Sequence, residues 1–178
     1  MAALIFGCCL TCLGQDFKLG VSFGPSLDIS PLYLGNVAGV EVGYKLKPNL
    51  YLSYEYHYTN INTKTASYGN PLADGIGRQK QLFGHGLSLK YYLKQRGNYQ
   101  PLIGLGVLYS QEKINNKIAI SNVAVSEIIS NQNTFGVVPM AGVKYQSQYK
   151  VEISAALRGI ITSNTQAVQL VFGLALPL

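Results

Sequence analysis

The residues of this sequence whose types could best support chemistry are five ionisable side chains that lie inside weakly charged segments. They are Glu41, Glu55, Lys90, Glu152 and Arg158. Charged groups that are removed from water are costly unless they are paired, so such a set suggests either a polar relay or gate, or a structural network of ion pairs. His57 lies two residues from Glu55 and could belong to either. Choosing between them requires the elements that carry these residues.

Other signals of catalysis or of ligand binding are weak. A histidine beside a hydroxyl nucleophile could support lipid chemistry, but two residues after His85 stands Leu87, and Ser88 has the opposite parity. We therefore expect His85 at the level of lipid headgroups, where amphipathic rings concentrate. We do not expect this protein to be an enzyme. Two histidines and scattered carboxylates offer no metal-ligand spacing, and the glycines of 75–77 and 104–106 do not open a helix as phosphate loops do. No cofactor is predicted.

The elements that must position these residues are β-strands. In "LSYEYHYT" (52–59) leucine and tyrosine alternate with Ser, Glu, His and Thr. Successive side chains of a strand point to opposite faces, so this alternation predicts a strand with one apolar face. The same pattern recurs in eight segments, at residues 17–23, 38–46, 52–58, 83–93, 103–109, 137–145, 151–157 and 168–178.

The links between these segments differ in length in a regular order. Short links fall at 47–49, 94–100 and 146–148, and longer ones at 25–37, 60–82, 112–134 and 161–167. Short turns on one side and long loops on the other are typical of an up-and-down barrel that crosses a membrane. The sequence therefore predicts an all-β fold, a single antiparallel transmembrane β-barrel of about eight strands with long extracellular loops and short periplasmic turns. The apolar run 117–129 could extend a hairpin beyond the membrane or pack on the barrel mouth.

The two faces of the predicted strands suggest which side is the outside. One face carries Gly, Ser and the charged residues, whereas the other is aliphatic with aromatic residues near the strand ends. Aromatic belts around an aliphatic band are typical of a protein in a bilayer. The predicted girdle comprises Phe17, Tyr44, Tyr58, Tyr91, Tyr109 and Tyr145. A soluble lipocalin-like carrier, with the apolar face inside, is the alternative.

A barrel of about eight strands is just wide enough to be filled by its own side chains. Opposite charges would then pair across a narrow lumen, so we favour the structural network over the relay or gate. We expect Glu55 to pair with Lys90 or with Arg158. The charged fraction of only 12% fits a protein with little water-facing surface. The net charge of +6 is scattered along the chain, and nucleic acid is not an expected partner.

The first residues resemble a targeting segment. Residues 1–15 contain a short apolar run that ends at Gly14-Gln15 and predict a signal peptide, which leaves residues 16–178 as the barrel domain. All three cysteines, Cys8, Cys9 and Cys12, lie in this segment, so its removal would leave a chain without thiols. A lipoprotein signal with Cys8 as the anchored residue is the alternative.

Taken in order, several segments resemble a known family of small bacterial outer-membrane barrels, the PorT-like β-barrel domain of Bacteroidetes, which is similar in architecture to OmpA and OmpX. They are "FKLGVSFGPSL" (17–27), "LSLKYYL" (87–93), "PLIGLGVLYS" (101–110), "FGVVPMAGVKY" (135–145) and "VEISAALRGI" (151–160). The resemblance implies a surface-exposed protein of the Gram-negative outer membrane and does not imply an enzyme.

From these observations we expect a structural or surface-interaction protein whose partners are outer-membrane lipid and surface ligands. The PorT resemblance allows a second role, as a component of the envelope or secretion machinery with protein partners there. A lipid-modifying enzyme is the third hypothesis, which the spacing around His85 disfavours.

Overall fold

The computed structural model describes residues 17–29, 32–65, 73–120, 123–147 and 151–177, which form eight strands. They are β1 Phe17–Ile29, β2 Leu32–Lys47, β3 Leu50–Thr65, β4 Ala73–Tyr92, β5 Tyr99–Ile120, β6 Val123–Gln146, β7 Glu152–Thr162 and β8 Gln166–Pro177. Each strand pairs with the next one along the chain, and antiparallel pairing of β1 with β8 closes the barrel. The predicted fold class is confirmed. The predicted signal peptide and its cysteines lie outside the described residues, in which no helix is long and apolar enough to cross a membrane.

The alternation of the sequence decides which side chains face outward. On β3, Tyr54 is 47% exposed, whereas its neighbours Ser53 and Glu55 are 1% and 7% exposed. The outward face of the other strands is likewise aliphatic and exposed, as at Val40 on β2 and Leu105 on β5. A soluble carrier would need the apolar face inside, and the structure places it outside. An apolar outer wall on a closed barrel suits a bilayer, because closure leaves no unpaired backbone edge in lipid.

The two ends of the barrel differ. At one end, here called the turn end, lie the links β2–β3, β4–β5 and β6–β7, together with the first residue of β1 and the last residue of β8. In the β4–β5 link, Gly97 has a φ of 61°, and the turn is closed by backbone hydrogen bonds between Arg96 and Tyr99 of 2.8 and 3.1 Å. Glycine adopts this left-handed conformation without strain. The opposite end is called the hairpin end.

At the hairpin end the strands are longer than the sequence predicted. The sequence predicts long loops at 25–37, 60–82 and 112–134, with the alternative that 117–129 extends a hairpin. Instead β1 and β2 remain paired as far as Ile29 and Leu32, β3 and β4 as far as Thr65 and Ile76, and β5 and β6 as far as Ile120 and Val123, so the β5–β6 hairpin is extended as that alternative allows. The prediction failed because it relied on an alternation of apolar and polar residues. Outside a membrane neither face needs to be apolar, whereas backbone pairing continues regardless of side-chain polarity.

These extended strands form a projecting sheet, here called the fin. On β6, pairing with β5 continues to Val123, whereas pairing with β7 ends at Gly136. On the other side, pairing of β3 with β2 ends at Ile61, and β3 then pairs only with β4 up to Thr65. The fin is therefore four-stranded, and residues 123–135 of β6 form its long edge, which pairs with no described strand on that side.

The interior is less polar than the sequence suggested. The lumen face was read as Gly, Ser and charged residues, but it also holds a buried hydrophobic cluster. Its members are Tyr92, Leu102, Leu108, Val138, Met140, Ile160 and Ala167. The sequence does not predict this cluster, because a few apolar residues at inward positions leave the overall alternation of apolar and polar residues intact. Leu108 and Ile160 are each 1% exposed, so the lumen holds buried apolar side chains as well as charged ones.

Candidate functional site: the charge clusters of the lumen

The lumen near the turn end contains a group of charged side chains, here called the inner cluster. It comprises Lys18, Glu41, Glu55, Lys90, Lys144, Glu152 and Arg158. All five residues of the predicted network belong to it, and Lys18 and Lys144 join them. The alternation of β1 and β6 points both of these lysines inward, so the sequence carried a signal for them as well.

Two carboxylates of the inner cluster stand side by side and take different partners. Glu41 on β2 lies opposite Glu55 on β3 in the register of the sheet. Like charges at such positions repel each other, so each needs a cation from elsewhere. Lys90 Nζ lies 2.5 Å from Glu41 Oε2, and Arg158 Nη1 donates to Glu55 Oε1. Of the two partners that the sequence allowed for Glu55, the structure therefore selects Arg158.

Arg158 also connects several strands through a glutamine. Its Nε and Nη2 donate to Gln169 Oε1 over 2.9 and 2.7 Å. The Gln169 amide in turn donates to Thr59 Oγ1 at 3.1 Å and to Ser26 Oγ at 3.3 Å. The guanidinium of Arg158 on β7 thus bonds directly to residues of β3 and β8, and the Gln169 amide extends this network to Ser26 on β1. An arginine with several donors in a fixed plane is well suited to such a junction.

At the turn end one carboxylate binds two lysines. Lys18 Nζ lies 2.7 Å from Glu152 Oε2, and Lys144 Nζ lies 3.0 Å from Glu152 Oε1. Two tyrosine rings also stabilise the positive charges of these lysines: Lys18 Nζ is 3.9 Å from the ring centroid of Tyr51, and Lys144 Nζ is 4.6 Å from that of Tyr92. A cavity of about 80 Å³ separates these groups from Arg158. Cation–π contacts of this kind strengthen where water is excluded.

A second group, here called the outer cluster, lies toward the hairpin end. Lys80 Nζ is 3.1 Å from Asp28 Oδ2 and 3.2 Å from Glu112 Oε1, and Thr165 Oγ1 donates to Glu112 Oε2 over 3.2 Å. The sequence analysis missed this cluster because it placed Asp28, Lys80 and Glu112 in or at the edge of predicted loops. A signal was present, since all three continue the inward parity of their strands.

His57 lies in the lumen beside the inner cluster. It is 2% exposed, and within the described residues neither ring nitrogen has a hydrogen-bond partner. The wall beside it is a glycine: a Cβ on Gly84 would lie 2.5 Å from His57 Nε2. Glycine here makes room for the imidazole. Among the described residues no group of three or more His, Cys, Asp or Glu could hold a metal ion. The ion pairs of the two clusters join side chains of different strands, and this arrangement is suited to tying the strands together by charge.

The predicted girdle residues lie on the outer wall, several of them in aromatic pairs. At the turn end Phe17 pairs with Tyr44 at a centroid distance of 4.9 Å, and Tyr145 pairs with Tyr99 at 5.2 Å. Tyr91, on the same side, is exposed. Tyr99 is not among the predicted girdle residues.

Toward the hairpin end, Tyr58 pairs with Phe83 and Tyr109 pairs with Phe135, each at a centroid distance of 5.0 Å. Phe135 was missed because it followed a predicted loop. It is 76% exposed and points away from the barrel, as the belt residues do.

His85 lies on the same outer wall. Its Nδ1 is 2.6 Å from Tyr54 Oη, and its ring centroid is 5.0 Å from that of Tyr56. Ser88 is buried on the opposite, lumenal face. The nearest polar partner of this histidine is therefore a phenol.

Comparisons with known proteins support the fold. No family model and no curated protein matches the sequence. Among solved structures, the chain is similar to Neisserial surface protein A, with 18% identity, a TM-score of 0.56 and coverage of 91% of this chain and 96% of that one. The N-terminal β-barrel domain of OprF from Pseudomonas aeruginosa has 15% identity, a TM-score of 0.57 and coverage of 91% and 97%.

A third similar structure is Ail, the attachment invasion locus protein of Yersinia pestis, with 8% identity, a TM-score of 0.58 and coverage of 90% and 97%. These identities are low, and what the likeness shows is the architecture. Together with the exposed apolar wall and the charged lumen, it leads to one conclusion. The chain is an eight-stranded transmembrane β-barrel with the fold of small outer-membrane proteins of Gram-negative bacteria.

Proposed function

We propose that this barrel is a surface-interaction protein that binds an extended segment of another polypeptide along the edge of its fin. The observation that carries the proposal is the unequal pairing of β6. Residues 123–135 pair with β5 on one side, whereas on the other side the described pairing with β7 begins only at Gly136. An unpaired strand edge is a template for another strand.

The fin edge is long enough for specific recognition. At the usual rise per residue, residues 123–135 extend for about 40 Å. In an antiparallel sheet alternate residues direct their N–H and C=O groups toward each neighbouring strand, so about half of these groups point to the open side. Strand addition uses such groups for affinity and the side chains between them for specificity.

The lumen supports a binding role over a conducting one. Leu108 and Ile160 lie on their strands beside Ser110 and Arg158, and all four are at most 4% exposed. Buried side chains at this level favour a filled lumen over a continuous aqueous path, for which a barrel of eight strands has little room. In planar bilayers we expect the purified protein to show no stable conductance, and a stable open channel would contradict this part of the proposal.

The binding proposal is tested by trimming the fin. Joining Asn115 to Ile129, which are partners in the register, through an Asn-Gly turn removes the outer part of the β5–β6 hairpin. The matched control joins Thr63 to Arg78 and trims the β3–β4 hairpin, which does not border the open β6 edge. Cells that display each variant are measured for adhesion to immobilised surface proteins and to other cells.

We expect the β5–β6 trim to reduce adhesion at least about tenfold, as loss of a set of backbone hydrogen bonds should, and the β3–β4 trim to leave it largely unchanged. Equal adhesion of both trims and the intact protein would overturn the proposal. The role in envelope or secretion machinery stays a prediction. The same variants test it: unchanged adhesion together with lost export of cargo would favour that role.

A further inference from the structure

We propose that the outer wall at the base of the fin binds the phosphate of a lipid headgroup, that of a phosphorylated glycolipid in the outer leaflet. The site, here called the headgroup patch, consists of four polar side chains on β4, β5 and β6 and three aromatic rings. They are His85, Gln111, Lys113, Asn133, Tyr56, Phe83 and Tyr109, and they line a depression of about 370 Å³.

The strand register brings the polar groups together. Gln111 on β5 lies between Phe83 on β4 and Asn133 on β6, and His85 lies opposite Tyr109. Lys113 is two residues beyond Gln111 on the same outward face. Neighbouring strands are about 5 Å apart, so the four polar side chains lie along one depression that crosses three strands.

The chemistry of the patch is that of hydrogen-bond donors. Lys113 carries a full positive charge, and the amides of Gln111 and Asn133 can each donate. When the Tyr54 hydroxyl donates to His85 Nδ1, over 2.6 Å, the remaining hydrogen of the neutral imidazole lies on Nε2. None of the described residues that line the depression carries a carboxylate. Such a set favours an anion with several acceptor oxygens, as a phosphate has.

Lys113 differs from the paired lysines of the lumen in having no counter-charge among the described residues. Lys80 lies within 3.2 Å of two carboxylates, whereas no described Asp or Glu forms an ion pair with Lys113. Its nearest described aromatic partner is Phe83, whose ring centroid lies 5.4 Å from Lys113 Nζ. A half-buried cation beside aromatic rings is readily neutralised by an anion from outside the chain.

The position of the patch decides that the anion belongs to a lipid. Phe83 and Tyr109 are outward-facing aromatic residues near the hairpin end, and Lys113 lies four residues beyond Tyr109 along β5. Aromatic belts mark the boundary between acyl chains and headgroups. Because the patch faces away from the barrel axis into the plane of the membrane, a ligand reaches it from the surrounding leaflet. The apolar rings then face the upper acyl chains or the sugar.

The test measures which lipid stays bound. The purified full chain is mixed with lipid A that carries two phosphates, or with the same lipid after enzymatic removal of its phosphates, and retained lipid is counted by native mass spectrometry. We expect at least about tenfold preference for the phosphorylated lipid, the size of one charge-assisted hydrogen bond. Lys113→Gln should remove most of this preference, and His85→Phe, which keeps a ring, should remove part of it.

Lys47→Gln is the control, because it removes the same charge from an exposed lysine at the turn end. Equal retention of both lipids by the intact protein would overturn the proposal, and so would an equal effect of Lys47→Gln, which would indicate diffuse attraction by net charge. A dimer that forms without lipid and is lost in Lys113→Gln would show that a second copy covers the patch, with the same consequence. The trimmed β5–β6 hairpin keeps Lys113 and Asn133, so it should retain the lipid even where adhesion is lost.

Discussion

In the inner cluster two lysines, Lys18 and Lys144, share one carboxylate, whereas in the outer cluster one lysine, Lys80, lies between two carboxylates. Among the described residues the inner cluster holds four cations and three carboxylates, and the outer cluster one cation and two carboxylates. Neither is balanced by itself, but together they hold five of each. The charges of the two described clusters therefore balance each other, and each cluster has one residue that is shared by two opposite charges.

The largest effect is expected at Arg158, the junction of the inner cluster. Arg158→Met would leave Glu55 buried without its cation and Gln169 without two donors. Loss of one member of a buried ion pair costs about 3–5 kcal/mol. We expect a loss of this size in urea unfolding of the detergent-folded barrel, followed by the migration of unboiled samples on gels. The double variant Glu55→Leu/Arg158→Met should lose clearly less unfolding free energy than Arg158→Met alone. If the double variant loses more, the two residues are not coupled.

A smaller loss is expected from the shared residue of the outer cluster. Lys80→Met would leave Asp28 and Glu112 close together, but Glu112 keeps the hydroxyl of Thr165 at 3.2 Å. We expect a loss of about 2–3 kcal/mol in the same unfolding assay. Adding Glu112→Gln removes the repulsion between the two carboxylates, so the double variant should recover part of the lost unfolding free energy. A loss as large as that of Arg158→Met would show that the two clusters contribute equally.

The inner cluster also depends on close approach of its strands, which glycine substitutions test. A Cβ on Gly142 would lie 2.7 Å from Ala156 Cα and Cβ, whereas on Gly86 the nearest atom would be 3.6 Å away. Gly142→Ala should therefore destabilise the barrel by about 1–3 kcal/mol, as overpacking does, while Gly86→Ala should have little effect. Similar unfolding midpoints for the two variants would mean that this wall can relax.

The smallest effect is expected at His57, beside the inner cluster. Neither ring nitrogen of His57 has a described hydrogen-bond partner. His57→Leu therefore removes two unsatisfied polar atoms and replaces the imidazole by an apolar side chain of similar size. We expect a change within about 1 kcal/mol, in either direction. A loss above about 2 kcal/mol would place His57 in the ion-pair network and enlarge the inner cluster.

Much of the fold could be predicted from the sequence, but the two clusters were not equally accessible. The strands around Glu41, Glu55 and Arg158 alternate cleanly, because one face meets lipid and the other the lumen. Asp28, Lys80 and Glu112 stand where the strands leave the apolar band, and there the pattern no longer distinguishes a strand from a loop. The same loss of pattern concealed the fin and Phe135.

The sequence by itself determined the number of strands, their order and, within the apolar band, the face on which the side chains lie, because these follow from local periodicity and from the spacing of turns. Only the tertiary structure decided that Glu55 pairs with Arg158 and Glu41 with Lys90, that Lys80 lies between two carboxylates, and that His85 and Lys113 share one patch. These contacts join residues far apart in the chain. Their physical cause is the register and closure of the barrel, which fix how strands on opposite sides of the lumen face each other.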